Sequence, residues 1–134
     1  MKDADARALD ALLAEARADP DVLAVLLFGS AAREGEGRDV DVCVVLRPDA
    51  RRDPQDAHLR YLGHASGKRH EGLDVSVFQA LPLYVRRQVL RDAVPLLLKD
   101  EDALYEIALQ TVRAWTDFKP HYETYLEAVE RAWS

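Results

Sequence analysis

Asp39 and Asp41 alternate with valines at the start of "DVDVCVVL", nine and eleven residues after Ser30 in "FGSAAREGEGRDVDV". In a strand, alternate side chains share a face, so the two aspartates point one way while Val40 and Val42 point into the core. Two carboxylates one strand repeat apart repel unless a cation lies between them. Hard oxygen donors favour Mg²⁺ or Mn²⁺, which takes few protein carboxylates and completes its shell with water and phosphate oxygens. A bare Asp-x-Asp also fits two solvated aspartates at a strand's start, and the surroundings decide between the two readings. Gly29 permits close backbone approach to a ligand. Ser30 can cap a helical turn whose free N–H groups face an anion, ideally a phosphate, with Arg33 one turn on. A third carboxylate, Asp74 in "GLDVSVF", lies opposite the core-facing Leu73, Val75 and Val77, and joins the other two if its strand neighbours theirs. Together these are parts for phosphoryl or nucleotidyl transfer, with Asp74 placed to take the proton of an attacking hydroxyl.

The elements that must position these residues are legible in outline. Leu9, Leu12, Leu13 and Ala16 form a helical stripe over 4–18, ended by Asp19-Pro20. "VLAVLLF", 22–28, reads as a strand buried on both faces. Strands follow at 39–46 and 72–81, helices at 55–66 and 83–93, and a short strand at 94–100 that Pro95 assigns to an edge or a strand start. The last 34 residues are helical, with one apolar stripe from Leu104 to Trp133 that keeps phase across Pro120. Proline there predicts a kinked helix or two nearly collinear ones. The fold class is α/β (α+β), a small mixed sheet packed with helices in two layers. One domain spans 1–134, with a sheet-bearing core over 1–100 and a helical segment over 101–134.

Composition narrows the function. With 49% hydrophobic and 31% charged residues, the chain is globular. No apolar run reaches membrane-spanning length, and the acid-rich N-terminus is unlike a leader, so a cytoplasmic location with no membrane partner is expected. A net charge of −6 argues against a nucleic-acid partner. The single Cys43 is read as a core residue, and His58, His64, His70 and His121 lack metal-ligand spacing. Arg38 abuts the aspartates and can pair with them when no metal is bound, while Lys68, Arg69 and His70, ahead of the third strand, fit a solvated turn better than phosphate contacts. Arg86, Arg87 and Arg91 share a helix and face either an acidic patch or solvent.

Gly-Ser, a short link, Asp-x-Asp at a strand start and a later strand Asp resemble the DNA polymerase β-like nucleotidyltransferase superfamily, and the small size resembles its minimal branch (MNT). "RAWTDFKPHYETYLEAV", 113–129, is similar to the C-terminal segment of MNT antitoxins of HEPN–MNT toxin–antitoxin systems. The link of eight residues is shorter than in most relatives, and Arg38 replaces a common serine. The resemblance implies that Gly29 and Ser30, with Arg33, bind ATP, that Asp39, Asp41 and Asp74 hold Mg²⁺ (or Mn²⁺) and carry catalysis, and that AMP passes to a tyrosine of a HEPN ribonuclease toxin. The alternatives are an inert antitoxin acting by contact and a small-molecule nucleotidyltransferase. Phe118, Tyr122, Tyr125 and Trp133 are expected to form an interface with the toxin or with a second copy in a homodimer.

Overall fold

Seven apolar residues in succession need cover on both sides, and that requirement organises the molecule. The computed structural model describes residues 3–29, 39–65 and 72–133. Among them, the strands β1 (Val22–Phe28), β2 (Asp39–Leu46), β3 (Gly72–Val77) and β4 (Val94–Leu98) form one sheet in the order β3-β2-β1-β4. β1 is antiparallel to both β2 and β4, whereas β2 and β3 run parallel. Helices α1 (Asp3–Ala18) and α2 (Pro54–Tyr61) contribute Leu9, Leu12, Ala16, Ala57 and Tyr61 to a core on one face, against Val25, Val42, Val44 and Val75. Helices α3 (Leu83–Asp92) and α4 (Glu101–Trp133) contribute Val89 and Ile107 to a second core on the other face, against Leu23, Leu26, Cys43 and Val45. The two-layer expectation is thus corrected to helix, sheet, helix. Residues 22–26 are buried without a break, so neither face of β1 can be left open.

Local chemistry sets the element ends. The Asp53 carboxylate accepts from Gln55 N at 2.9 Å and Pro54 opens α2, a standard helix start. Asp100 accepts from Ala103 N at 3.1 Å, with Glu101 and Asp102 favourably placed in the first turn of α4. β3 stops at Val77, short of the expected 81, because Phe78–Ala80 turn into a 3₁₀ helix. The turn lets the Gln79 amide act as a substitute strand: its Oε1 accepts from Leu46 N at 3.1 Å and its Nε2 donates to Leu46 O at 2.8 Å. Pro95 lies on edge strand β4, where its missing N–H costs no ladder bond.

The far end of the sheet, where β1 begins, is closed by a buried carboxylate. Asp19 has no exposed side-chain surface. It accepts from Tyr61 Oη at 2.7 Å, from Asp21 N at 3.0 Å and from Arg52 Nη2. Lys99 Nζ donates to its backbone oxygen at 2.7 Å. Burial alone would raise the Asp19 carboxyl, but the Tyr61, Arg52 and Asp21 hydrogen bonds with the Arg52 charge hold it below its ordinary value. Burial and the adjoining Asp19 push the Tyr61 phenol up.

α4 runs unbroken from Glu101 to Trp133 with Pro120 inside it. Only Ile107 and Thr111 of the helix are buried, so the apolar stripe seals the core in its first third and is half-buried or exposed beyond it. No helix among the described residues is long and apolar enough to cross a membrane.

Candidate active site

Alternation along β2 buries Val40 and Val42 on the α1/α2 face, which puts Asp41 on the opposite face with Cys43 and Val45. Along β3, Leu73, Val75 and Val77 are buried and Asp74 is exposed. The parallel ladder sets Asp41 directly beside Asp74, and the antiparallel one sets Phe28 beside Asp41. One row therefore crosses three strands at one end of the sheet, Phe28–Asp41–Asp74, with about 4.8 Å between strands. Asp39 is two positions earlier on β2, paired with Gly72.

Gly29 ends β1 with φ +80°, and a Cβ built there would stand 2.3 Å from Asp41 Oδ2. The position thus excludes side chains twice, by backbone conformation and by contact, and the Asp41 carboxylate is seated against the glycine. This use of Gly29 complements the phosphate contact that the sequence implied.

Like charges at adjacent ladder positions disfavour each other. Asp41 and Asp74 offer hard oxygen donors, suited to a divalent ion that keeps water and substrate oxygens in the rest of its shell. Among the described residues, no group of three His, Cys, Asp or Glu side chains converges on one point. The Asp39 side chain, Ser30 and Arg33 lie outside the described residues, as do Arg38, Lys68, Arg69 and His70.

α3 adds a wall to the site that the sequence reading did not anticipate. A cavity of about 300 Å³ beside Gly29 is lined by Phe28, Val85, Gln88, Val89, Arg91 and Asp92. Its signal was present: 85, 88, 89 and 92 follow the spacing of one helix face. Arg91 is exposed, as one of the two expectations had it, and pairs with its chain neighbour. Its Nε and Nη2 each lie 3.3 Å from Asp92 oxygens. Arg86 donates to Leu81 O at 3.0 Å, and Arg87 sits over the Trp115 ring at 5.4 Å from its centroid.

Cys43 is buried in the second core as expected, and burial pushes its thiol up to about 12, outweighing a hydrogen bond with Ser76. Tyr122 is half-buried, with its ring stacked on Tyr84 at 5.9 Å. Phe118, Tyr125 and Trp133 are 41%, 64% and 87% exposed.

Residues 9–107 match the family model of the nucleotidyltransferase domain. The fold is similar to a chain of a crystal structure of a toxin–antitoxin with AMP-PNP, with a TM-score of 0.64 and 16% identity over 92% of this chain and 97% of that one. A chain from a tri-AMPylated Shewanella oneidensis HEPN toxin in complex with MNT antitoxin aligns with a TM-score of 0.63 and 15% identity, over 97% and 99% of the two chains. A chain of the MntA–HepT toxin–antitoxin aligns with a TM-score of 0.62 and 14% identity, over 96% and 99%. A sequence search of curated proteins finds no match. At these identities the structural likeness establishes the fold.

Proposed function

The chain belongs to the nucleotidyltransferase domain family, and from that premise we propose that it is a cytoplasmic antitoxin that transfers AMP from ATP to a tyrosine of a HEPN ribonuclease toxin. The observation that carries the catalytic half is the pairing of Asp41 with Asp74 at the strand ends, with Gly29 backed against Asp41. Asp39, Asp41 and Asp74 would hold Mg²⁺, with Gly29, Ser30 and Arg33 toward the triphosphate. Bound there, the ion supplies charge neutralisation on the phosphate oxygens. Asp74, exposed at the row's outer end, receives the proton of the tyrosine hydroxyl. The phenolic oxygen forms a bond to the α-phosphorus, the bond from that phosphorus to the bridging oxygen breaks, and pyrophosphate leaves.

The antitoxin half is supported by the fold shared with chains of toxin–antitoxin structures and by α4. That helix is ~50 Å long at 1.5 Å per residue, and no residue after Thr111 is buried. Phe118, Tyr122, Tyr125 and Trp133 form the docking stripe, in the manner of an amphipathic helix entering a groove. Residues 101–134 carry seven acids against three bases, which favours a basic partner surface.

Mass spectrometry of a HEPN toxin after incubation with the protein, ATP and Mg²⁺ tests the reading. An AMP adduct on a toxin tyrosine is expected. Neutralisation at full strength by Asp41→Asn, without an adduct, would replace transfer by direct binding. Removing residues 121–134 should abolish toxin capture while the sheet stays folded, since both cores lie before them.

A further inference from the structure

We propose that α3 builds the base pocket of the nucleotide site and that Gln88 selects adenine. The inference rests on the nucleotidyltransferase reading above and assigns it residues outside the carboxylate row. Position comes first. Phe28 is the register partner of Asp41, so the cavity it lines opens in the same row as the carboxylates, one strand away. A group held in the cavity stays within a nucleotide's reach of Asp41.

The chemistry of the walls then identifies the occupant. Phe28, Val85 and Val89 give one aromatic and two aliphatic surfaces, suited to a flat ring. Arg91 and Asp92 are held to each other by two hydrogen bonds, so the rim carries no net charge. A phosphate would gain no uncompensated cation there and would meet the Asp92 carboxylate and the nearby Asp41. An uncharged heteroaromatic ring with donors and acceptors on its edge meets neither penalty. A volume of about 300 Å³ accommodates one such ring system. Gln88 is exposed at the mouth, on the face of α3 that also presents Val85, Val89 and Asp92. Its amide offers one acceptor and two donors, which match the N6 amino group and N7 of adenine together. Guanine presents an acceptor at both positions and cannot satisfy the amide oxygen.

Isothermal titration with Mg²⁺ and each of ATP, GTP and inorganic tripolyphosphate tests this on the full chain and on Gln88→Ala. Gln88 is exposed, so the substitution leaves the core intact. The full chain should bind ATP more tightly than GTP. Gln88→Ala should weaken ATP by roughly tenfold or more, bring ATP level with GTP, and leave tripolyphosphate unchanged. An equal loss for tripolyphosphate would show that the cavity holds phosphate and would overturn the proposal. ATP binding that is indifferent to Gln88→Ala would overturn it while leaving the nucleotidyltransferase reading in place. A full chain that binds neither ATP nor tripolyphosphate would overturn both.

Discussion

The two ends of the sheet treat carboxylates in opposite ways. Where β1 begins, Asp19 is sealed from solvent and receives hydrogen bonds from Tyr61, Arg52 and the Asp21 N–H. Where β1 ends, Asp41 and Asp74 stand side by side with Phe28 and Gly29 at hand. The first arrangement spends its charge on tying α2 and the flanking loops to the sheet. The second sets two carboxylates on adjacent strands at one end of the sheet, an arrangement suited to a divalent cation. Removing a carboxylate should therefore cost stability at one end and chemistry at the other.

The largest test of that contrast is Asp41→Asn. If Asp41 holds the metal as proposed, its loss removes several kcal/mol of transition-state stabilisation, and transfer of AMP should fall by about 10³-fold or more. The melting temperature should stay level, because asparagine removes the charge with little change of shape. A large loss of stability would make Asp41 a structural residue and erase the distinction. Asp19→Ala is the converse. Breaking a buried ion pair that also accepts from Tyr61 should destabilise the fold by about 3 kcal/mol in chemical denaturation, while ATP binding to the folded fraction persists. Retained stability would show that the network at that end is dispensable.

Gly29→Ala sharpens the comparison at the Asp41 end alone. The left-handed φ and the contact with Asp41 Oδ2 should together cost about 1–3 kcal/mol, and transfer should drop because the carboxylate must move. Stability unchanged to within a few tenths of a kcal/mol would mean that the glycine is not what seats Asp41. The smallest effect concerns pH. The Asp19 carboxyl is lowered in the folded state, so its contribution is fully present above its unfolded value of about 3.9 and is lost as pH falls through the folded value. The melting temperature of the parent should decline on acidification below about pH 4, and the Asp19→Ala variant should lose this component of the decline.

These two ends also differ in how far the sequence discloses them. Val40, Val42, Leu73, Val75 and Val77 fix the phase of β2 and β3, and that phase alone puts Asp41 and Asp74 on the opposite face from those five residues. The unbroken run from Val22 to Leu26 already implied two covered faces. Alternation could not say where β3 ends, because Phe78 is apolar whether it continues a strand or turns inward, and the bonds between Gln79 and Leu46 decide the matter across 33 positions. Asp19 gave no signal beyond a helix stop. Its partners Arg52 and Tyr61 are 33 and 42 residues away, and nothing local marks them. The wall formed by α3 was missed for a related reason: Gln88 and Arg91 look like ordinary solvated helix residues until β1 is placed beneath them. The aromatic stripe of α4 was legible as a stripe, but periodicity does not reveal that full burial ends at Thr111, with Trp115 and Tyr122 only half-covered beyond it.

The parallel pairing of β2 with β3 has a consequence for how the protein comes into being. A parallel pair cannot close through a hairpin, so the chain from 47 to 71 must cross over before Asp74 reaches Asp41. The β1–β2 pair is antiparallel and nearer in sequence, and can form while the rest is still being made. The later closure carries the entropy of the longer connection and belongs to the slow, non-local class of folding events. A nascent chain that holds Asp39 and Asp41 but has not docked β3 lacks its third carboxylate. On the proposed function, variants that lengthen or loosen residues 47–71 should delay the onset of transfer after refolding more than they reduce its final level, as a time course of AMP transfer from the diluted denatured chain would read.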